Sequence, residues 1–213
     1  MRAIVFDLDG VLINSEPVWD EVRHGLADSA GRPWPTDATR EMQGMSTAEW
    51  SRYLADTVGI PEPAETIAEQ VVGAMAARYE TAVPLMPGAV EAVTRLASRF
   101  TLGLASSSPP RLIDAVLDTA GLAAHFAATM STEEVAAGKP SPAVYLEIVR
   151  RLGVPPAETA AVEDSSNGLR SAHAAGLFVV AAPNELYPPV PDALALARVR
   201  LNTLADLTPE LFD

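Results

Sequence analysis

The stretch Ile4-Val5-Phe6-Asp7-Leu8-Asp9-Gly10-Val11-Leu12 decides how this chain is read. Ala3 to Phe6 is a short, β-branched apolar run, the pattern of a strand buried on both faces and too short for a helix. Two aspartates, one residue apart, follow it and meet a glycine. A chain that turns after such a strand leaves its next side chains at the open edge of a sheet, where α/β folds place their ligands. Burying an unpartnered carboxylate is costly, so two this close need a cation, a shared proton or open water.

Working outward, strand-like runs recur at Thr101 to Ala105, Ala160 to Val162 and Phe178 to Ala181. Weaker ones lie at Phe126 to Met130 and Val199 to Leu201. Helical stretches fall between them, at Gly88 to Arg99, Pro110 to Ala120, Pro142 to Leu152 and Asn167 to Ala175. In the second of these, Leu112, Ile113, Val116, Leu117 and Ala120 form one apolar stripe. Strand alternating with helix implies a parallel sheet covered on both faces, a doubly wound α/β core. From Glu16 to Val83 the alternation stops and helix follows helix, at Val18 to Ser29, Thr47 to Val58 and Ala64 to Thr81. Turn signals at Gly31-Arg32-Pro33, Gly59-Ile60-Pro61 and Val83-Pro84 separate the pieces. The expected division is a core of residues 1–15 and 84–213 and an all-helical cap of residues 16–83. Pro183 to Pro191 reads as a proline-rich loop.

Composition narrows the function. At 213 residues, 48% hydrophobic and 20% charged, the chain has an ordinary globular balance that argues against disorder. A formal net charge of −13 repels nucleic acid and anionic membrane, so neither is an expected partner. An anionic substrate then needs local neutralisation. The absence of cysteine excludes disulfides, thiolate metal sites and cysteine nucleophiles. Histidines 24, 125 and 173 are scattered, with no metal-site spacing. No apolar stretch reaches membrane-spanning length, and Met1-Arg2 leads into the first strand without a signal-peptide pattern. The expectation is a soluble, cytoplasmic, monomeric protein.

Four segments place polar groups at or near the ends of expected core strands. The first carries Asp7 and Asp9, and the second is Ala105-Ser106-Ser107-Ser108. The third is Gly138-Lys139-Pro140-Ser141-Pro142, and the fourth is Val162-Glu163-Asp164-Ser165. In a parallel sheet the C-terminal strand ends share one edge, so these groups can converge. Carboxylates on Asp7, Asp164 and Glu163 make a hard oxygen site suited to Mg²⁺. Ser106 and Ser107 offer hydroxyls for phosphate oxygens, and Lys139 offers a compact positive charge. One aspartate can attack phosphorus while the other carries protons. Of the 15 basic residues only Lys139 is a lysine, and it falls in this constellation.

Phe6-Asp7-Leu8-Asp9-Gly10-Val11-Leu12, Ser106, Lys139-Pro140 and Glu163-Asp164-Ser165 resemble the four ordered motifs of the haloacid dehalogenase superfamily. The helical insert after the first motif is similar to the cap of its β-phosphoglucomutase-like branch. Asn14-Ser15-Glu16-Pro17-Val18-Trp19 most resembles the sugar-phosphate phosphatases of that branch. The resemblance covers nearly the whole chain. It implies Asp7 as nucleophile and metal ligand. Asp9 becomes the acid/base and gives its backbone carbonyl to the metal. Ser106 and Lys139 hold the phosphate, and Asp164 with Glu163 completes a Mg²⁺ site. Asn14 departs from the aspartate usual at that position of the branch, which bears on loop detail rather than activity.

Simpler readings stand beside these. Asp-x-Asp can be a solvated turn, and a serine run can cap the next helix, a role that suits Ser108 before Pro109-Pro110. Lys139 can be a surface lysine, and Glu163-Asp164 can cap the helix from Asn167. In the insert, Ser46 or Thr47 with Glu49 reads first as a helix start. In the family this loop, from Gly44, faces the substrate, which makes Ser46, Trp50 and Arg52 specificity candidates. Met42, Met45 and Trp19 can line the pocket or pack in the core.

Among relatives, dehalogenases do not need a second acidic residue, so Asp9 favours phosphoryl transfer. Phosphonate hydrolases and β-phosphoglucomutases of the branch use a cap lysine, and residues 16–83 contain none. The expected activity is hydrolysis of a small phosphorylated metabolite, a sugar or polyol phosphate, with a β-phosphoglucomutase-type mutase as alternative. A phospho-receiver module shares the acidic cluster but places its aspartate on a middle strand and lacks a helical lid. A catalytically dead binding protein is disfavoured because each expected reactive group is present.

Overall fold

The computed structural model of the chain describes residues 1–42, 45–184 and 187–213. Strand β1 (Ala3–Phe6) opens the chain, and four helices of the insert follow it: α1 (Glu16–Ser29), α2 (Ala38–Glu41), α3 (Thr47–Tyr53) and α4 (Ala64–Thr81). Helix α5 (Ala89–Ala97) leads into β2 (Thr101–Ser106), then α6 (Pro110–Thr119) and β3 (Phe126–Ser131). The chain continues through α7 (Ala143–Leu152), β4 (Thr159–Glu163), α8 (Ser166–Ala174) and β5 (Phe178–Ala181). It closes with α9 (Pro191–Leu194) and β6 (Val199–Arg200).

The strands form a six-stranded parallel sheet in the order β3-β2-β1-β4-β5-β6. Every residue of β1 is buried because the sheet is covered on both faces. Side chains alternate across it with period two. Ile4, Phe6, Leu102, Leu104, Ala160 and Val162 point into one apolar cluster with α5 and α6. Val5, Ala105, Met130, Ala161 and Val179 point into the other with α7 and α8. The expected doubly wound core is the observed one.

Strand order reverses at β1, where the chain builds outward through β2 and β3 and then returns to the other side for β4. The C-terminal ends that border such a reversal form a crevice. Register places Phe6 level with both Leu104 and Val162, so Asp7 emerges beside the last residues of β2 and β4.

The insert is helical, as expected. α1 starts two residues before the expected Val18, with Pro17 in its first turn, where a missing N–H costs nothing. Ser46 and Glu49 form a capping box at α3. Beyond Tyr53 the helix widens into a π-turn, Leu54–Val58, and stops at Gly59 with φ of 81°. Trp19, Trp50, Leu54, Ile67, Val71 and Met75 belong to the same apolar cluster as α5 and α6, and α4 packs against α6. The insert thus shares its core with one sheet face. Helices α2 and α9 were not expected. Each has four residues, too few for a helical period to show in sequence. Gly44 of the expected cap loop lies outside the described residues, as do residues 185 and 186 of the proline-rich loop. Among the described residues no helix is long and apolar enough to cross a membrane.

Candidate active site

Asp7 still belongs to the sheet through its backbone, whose N–H donates to the Val162 carbonyl at 2.9 Å. The turn that follows is closed by Gly10, whose N–H donates to the Ile13 carbonyl at 2.8 Å. This brings the two aspartate side chains into different surroundings. Asp7, 6% exposed, takes a hydrogen bond from Lys139 Nζ on Oδ1 at 2.6 Å. Asp9 Oδ2 takes hydrogen bonds from Ser106 Oγ at 3.1 Å and Ser108 Oγ at 2.8 Å, while its buried Oδ1 has no partner.

Lys139 enters from the loop before α7, where the Lys139–Pro140 peptide is cis. Its ammonium spends its three donors on Asp7 Oδ1, Glu163 Oε1 at 2.6 Å and the Ala105 carbonyl at 3.0 Å. Glu163, fully buried at the end of β4, also accepts from Tyr145 Oη at 2.8 Å on Oε1. Its Oε2 accepts from the Asp164 N–H and from Ser165 Oγ, each at 3.2 Å. Ser165 in turn caps α8 by accepting from the Gly168 N–H at 3.0 Å. A Cβ at Gly168 would stand 1.9 Å from the Glu163 carboxyl, so only glycine lets the carboxylate tuck against the first turn of α8. Asp164 Oδ2 accepts from Asn184 Nδ2 at 2.7 Å.

Asp7, Glu163 and Asp164 each offer a carboxylate oxygen within 4.8 Å of the others. Against them stands one ammonium, leaving an excess of two negative charges in a largely buried site. Burial pushes Asp7 well above the usual carboxylate range; Lys139 opposes this, while Glu163, Asp164 and Asp9 add to it. Burial raises Asp164 to about 7, with Glu163 adding to the shift. Burial works against the charge on Lys139, but Asp7 and Glu163 together outweigh it and hold its affinity for the proton above normal. Both directions fit one picture. The lysine stays charged between two carboxylates, and the surplus negative charge falls on Asp7 and Asp164. A hard divalent cation suits that surplus and these oxygen donors.

A cavity of about 1050 Å³ opens over this cluster, lined from the core by Asp7, Asp9, Ser107, Lys139 and Asp164 and from the insert by Glu16, Thr36, Thr39 and Arg40. The sequence-derived candidates of the core therefore converge. Ser107 faces the cavity, while Ser106, fully buried, sits behind it on Asp9. Glu163 belongs to the carboxylate group, yet both its oxygens are already engaged by the chain.

Ser46, Trp50 and Arg52 do not line the cavity. Ser46 is held by Glu49, with Oγ donating to Oε2 at 2.7 Å, and Trp50 is 2% exposed against Trp19. Met42 and Trp19 are buried in the core as well. Sequence reasoning missed Tyr145, Gly168 and Asn184, and it assigned Ser108 only a capping role. Gly168, five residues beyond Glu163, was visible as a spacing; the contact of Asn184 crosses twenty residues and left no local signal.

Residues 1–176 match the family model described as haloacid dehalogenase-like hydrolase. The chain is 34% identical over 226 residues to hexitol phosphatase B of Escherichia coli O157:H7, covering 97% of this chain and 94% of that one. It is 32% identical to the phosphorylated carbohydrates phosphatase of Thermotoga maritima, covering 83% and 82%. Its fold is similar to that of CbbY from Rhodobacter sphaeroides, crystallised in complex with phosphate, at a TM-score of 0.84 and 26% identity over 97% and 96% of the two chains. The ordered motifs, the sheet and these likenesses agree: the chain belongs to the haloacid dehalogenase-like hydrolases.

Proposed function

We propose that this hydrolase is a Mg²⁺-dependent phosphatase of small phosphorylated metabolites, sugar or polyol monophosphates, working through an aspartyl-phosphate at Asp7. The observation that carries the reading is the division of surroundings between the two aspartates. Asp7 is fixed by Lys139 at the carboxylate cluster, whereas Asp9 is held by two hydroxyls and keeps one oxygen unpartnered. The similarity to phosphatases of hexitol phosphates and phosphorylated carbohydrates supports the substrate class.

Asp7 and Asp164, with the Asp9 backbone carbonyl, would hold the cation, and Glu163 stands at the same cluster as a further candidate ligand. When bound, the cation supplies neutralisation of phosphate and carboxylate charge. The remaining work falls to the chain. Ser107, at the cavity wall, donates to the phosphate oxygens, Lys139 sets its positive charge beneath them while it holds Asp7, and Ser106 acts behind them through Asp9. A carboxylate oxygen of Asp7 forms a bond to phosphorus as the bond to the ester oxygen breaks, and Asp9 gives that oxygen a proton. Water then attacks phosphorus, passes its proton to Asp9, and releases inorganic phosphate and Asp7. The insert, residues 16–83, holds no lysine to seat the second phosphate that a mutase requires.

The test is phosphate release from a panel of sugar and polyol monophosphates, with Mg²⁺ or EDTA, by wild type and Asp7→Asn. The expected result is turnover that needs the cation and vanishes in the variant while its circular dichroism stays unchanged. Turnover that persists in EDTA, or Asp7→Asn activity within about tenfold of wild type, overturns the reading.

A further inference from the structure

The loop between β5 and α9 leaves the sheet beside the last acidic motif and stays tied to it. Where the loop begins, the Ala182 N–H donates to the Glu163 carbonyl at 2.8 Å. Near its end, the Val190 N–H donates to Ser166 Oγ at 2.9 Å, and Arg170 of α8 pairs with Asp192 of α9 at 2.6 Å. Between these ties, Asn184, Tyr187 and Pro188 line the cavity over the carboxylates.

Asn184 is where this loop meets the carboxylate cluster. Its Nδ2 donates to Asp164 Oδ2 at 2.7 Å, and its Oδ1 accepts from the Tyr187 N–H at 2.8 Å. The two contacts fix the amide's orientation together, because an amide turned over would set its oxygen against a carboxylate and its NH2 against an N–H. Asp164 is buried, and its Oδ2 lies against Gly10, where a Cβ has no space. Among the described residues nothing donates to Asp164 Oδ1, yet that oxygen is not sealed in the interior, and Asp164 lines the cavity. One oxygen of this carboxylate is therefore held and the other is left open. The holding group is neutral, so it steadies the carboxylate without taking the charge that a cation needs, as a lysine or arginine there would.

We propose that Asn184 is a positioning residue for the cation: by holding Asp164 Oδ2 it keeps Oδ1 turned to the cation, and it makes the loop that walls the cavity part of that support. The inference rests on the reading of Asp164 as a Mg²⁺ ligand. Outer partners that aim a ligating side chain typically contribute about 10–100-fold to metal affinity. The contact is made from the core and not from the insert, so it stays in place wherever the insert stands.

The experiment titrates Mg²⁺ into substrate-free wild type, Asn184→Ala, Ser166→Ala and Asp164→Asn, following melting temperature at one pH, and then repeats the titration on phosphate release. The rise of melting temperature with Mg²⁺ gives each dissociation constant without any turnover. Asn184→Ala is expected to bind Mg²⁺ about tenfold or more weakly, with kcat at saturating Mg²⁺ within about threefold of wild type. The Mg²⁺ concentration for half-maximal phosphate release should shift in step. Ser166→Ala unties the loop elsewhere and leaves the Asp164 contact in place, so its Mg²⁺ affinity is expected to stay within about twofold of wild type. A merely structural Asn184 would lower the melting temperature in EDTA and leave the Mg²⁺ affinity unchanged, and that result overturns the inference. An equal loss of affinity in Ser166→Ala overturns it too. Asp164→Asn separates the premise from the inference. If it binds Mg²⁺ as tightly as wild type, Asp164 is no ligand, and the inference falls with that reading. If it loses Mg²⁺ while Asn184→Ala keeps it, the inference alone fails.

Discussion

A Cβ at Gly10 would lie 2.0 Å from Asp164 Oδ2, closer than any real contact. Gly10 also has φ of 80°, a conformation that side chains disfavour by roughly 1–2 kcal/mol. The first strand's turn and the last acidic motif are thus fitted to one another through a missing side chain. Gly10→Ala should lower stability by at least about that much and push Asp164 from its place. Misplacing a reacting or ligating group by about 1 Å can cost about a hundredfold in rate. Urea unfolding and phosphate release measure the two effects, and a variant with near-normal kcat would show that Asp164 need not stand where it does.

Among the described residues Lys139 is the cation that pairs with these buried carboxylates, at 2.6 Å from both Asp7 and Glu163 and 5% exposed at its side chain. Removing one member of a buried ion pair typically costs about 3–5 kcal/mol, because the other charge is stranded. Lys139→Met keeps most of the volume and should show that loss in urea unfolding in EDTA. Mg²⁺ should recover part of it by neutralising the same carboxylates. Its kcat should drop at least about a hundredfold, the scale of losing one donor to developing negative charge. A Lys139→Met variant as stable as wild type in EDTA contradicts the assigned role.

The core and the convergence of its polar residues were legible because they are written locally. Three of the four motifs sit at the ends of short apolar runs, and parallel pairing brings the ends of β1, β2 and β4 level, while Lys139 comes in from the loop before α7. The cap was legible as helices but not as a surface. Ser46, Trp50 and Arg52 were chosen by position in a loop, while the residues that reach the cavity, Thr36, Thr39 and Arg40, come from a turn and a four-residue helix without a periodic signal. Trp50 shows why. An apolar residue at helical spacing goes into the core unless something competes for it, and here Trp19 and Arg23 hold it there. Contacts such as Asn184 with Asp164 depend on where a long loop returns, which no local pattern encodes.

Asp164 ties stability to pH. Its ordinary value of 3.8 rises to about 7 in the folded chain, first through burial and then through Glu163. The folded state therefore binds a proton that the unfolded state has released. This group's contribution is complete below pH 3.8 and is lost as pH rises through about 7. Without a divalent cation, the chain should lose stability over that window as far as this carboxyl governs it. Mg²⁺ competes with the proton, so the stabilisation it gives should grow over the same window. Melting temperatures at about pH 5.5 and about pH 8, in EDTA and in excess Mg²⁺, check this. A gap between the two conditions that stays constant with pH would refute the link.

Ser108 donates to Asp9 Oδ2 at 2.8 Å, the shorter of the two hydroxyl contacts that aim this carboxyl, the other being Ser106 at 3.1 Å. Ser108 is itself fixed, its carbonyl accepting from Ser131 Oγ at 2.8 Å and its N–H donating to Ser106 Oγ at 2.9 Å. Ser108→Ala removes the shorter of the two contacts and leaves Asp9 held by Ser106 alone. A hydrogen bond to a charged group is worth roughly 1.5–3 kcal/mol, so about a tenfold or greater loss of kcat/KM is expected where proton delivery matters. It matters for an alkyl phosphate, whose leaving alkoxide must be protonated, and much less for p-nitrophenyl phosphate, whose phenolate leaves without help. Asp9→Asn should show the same bias more strongly. The ratio of the two substrates' kcat/KM values is the measurement. If Ser108→Ala depresses both substrates equally, the serine supports the loop rather than Asp9, and the acid role loses its structural basis.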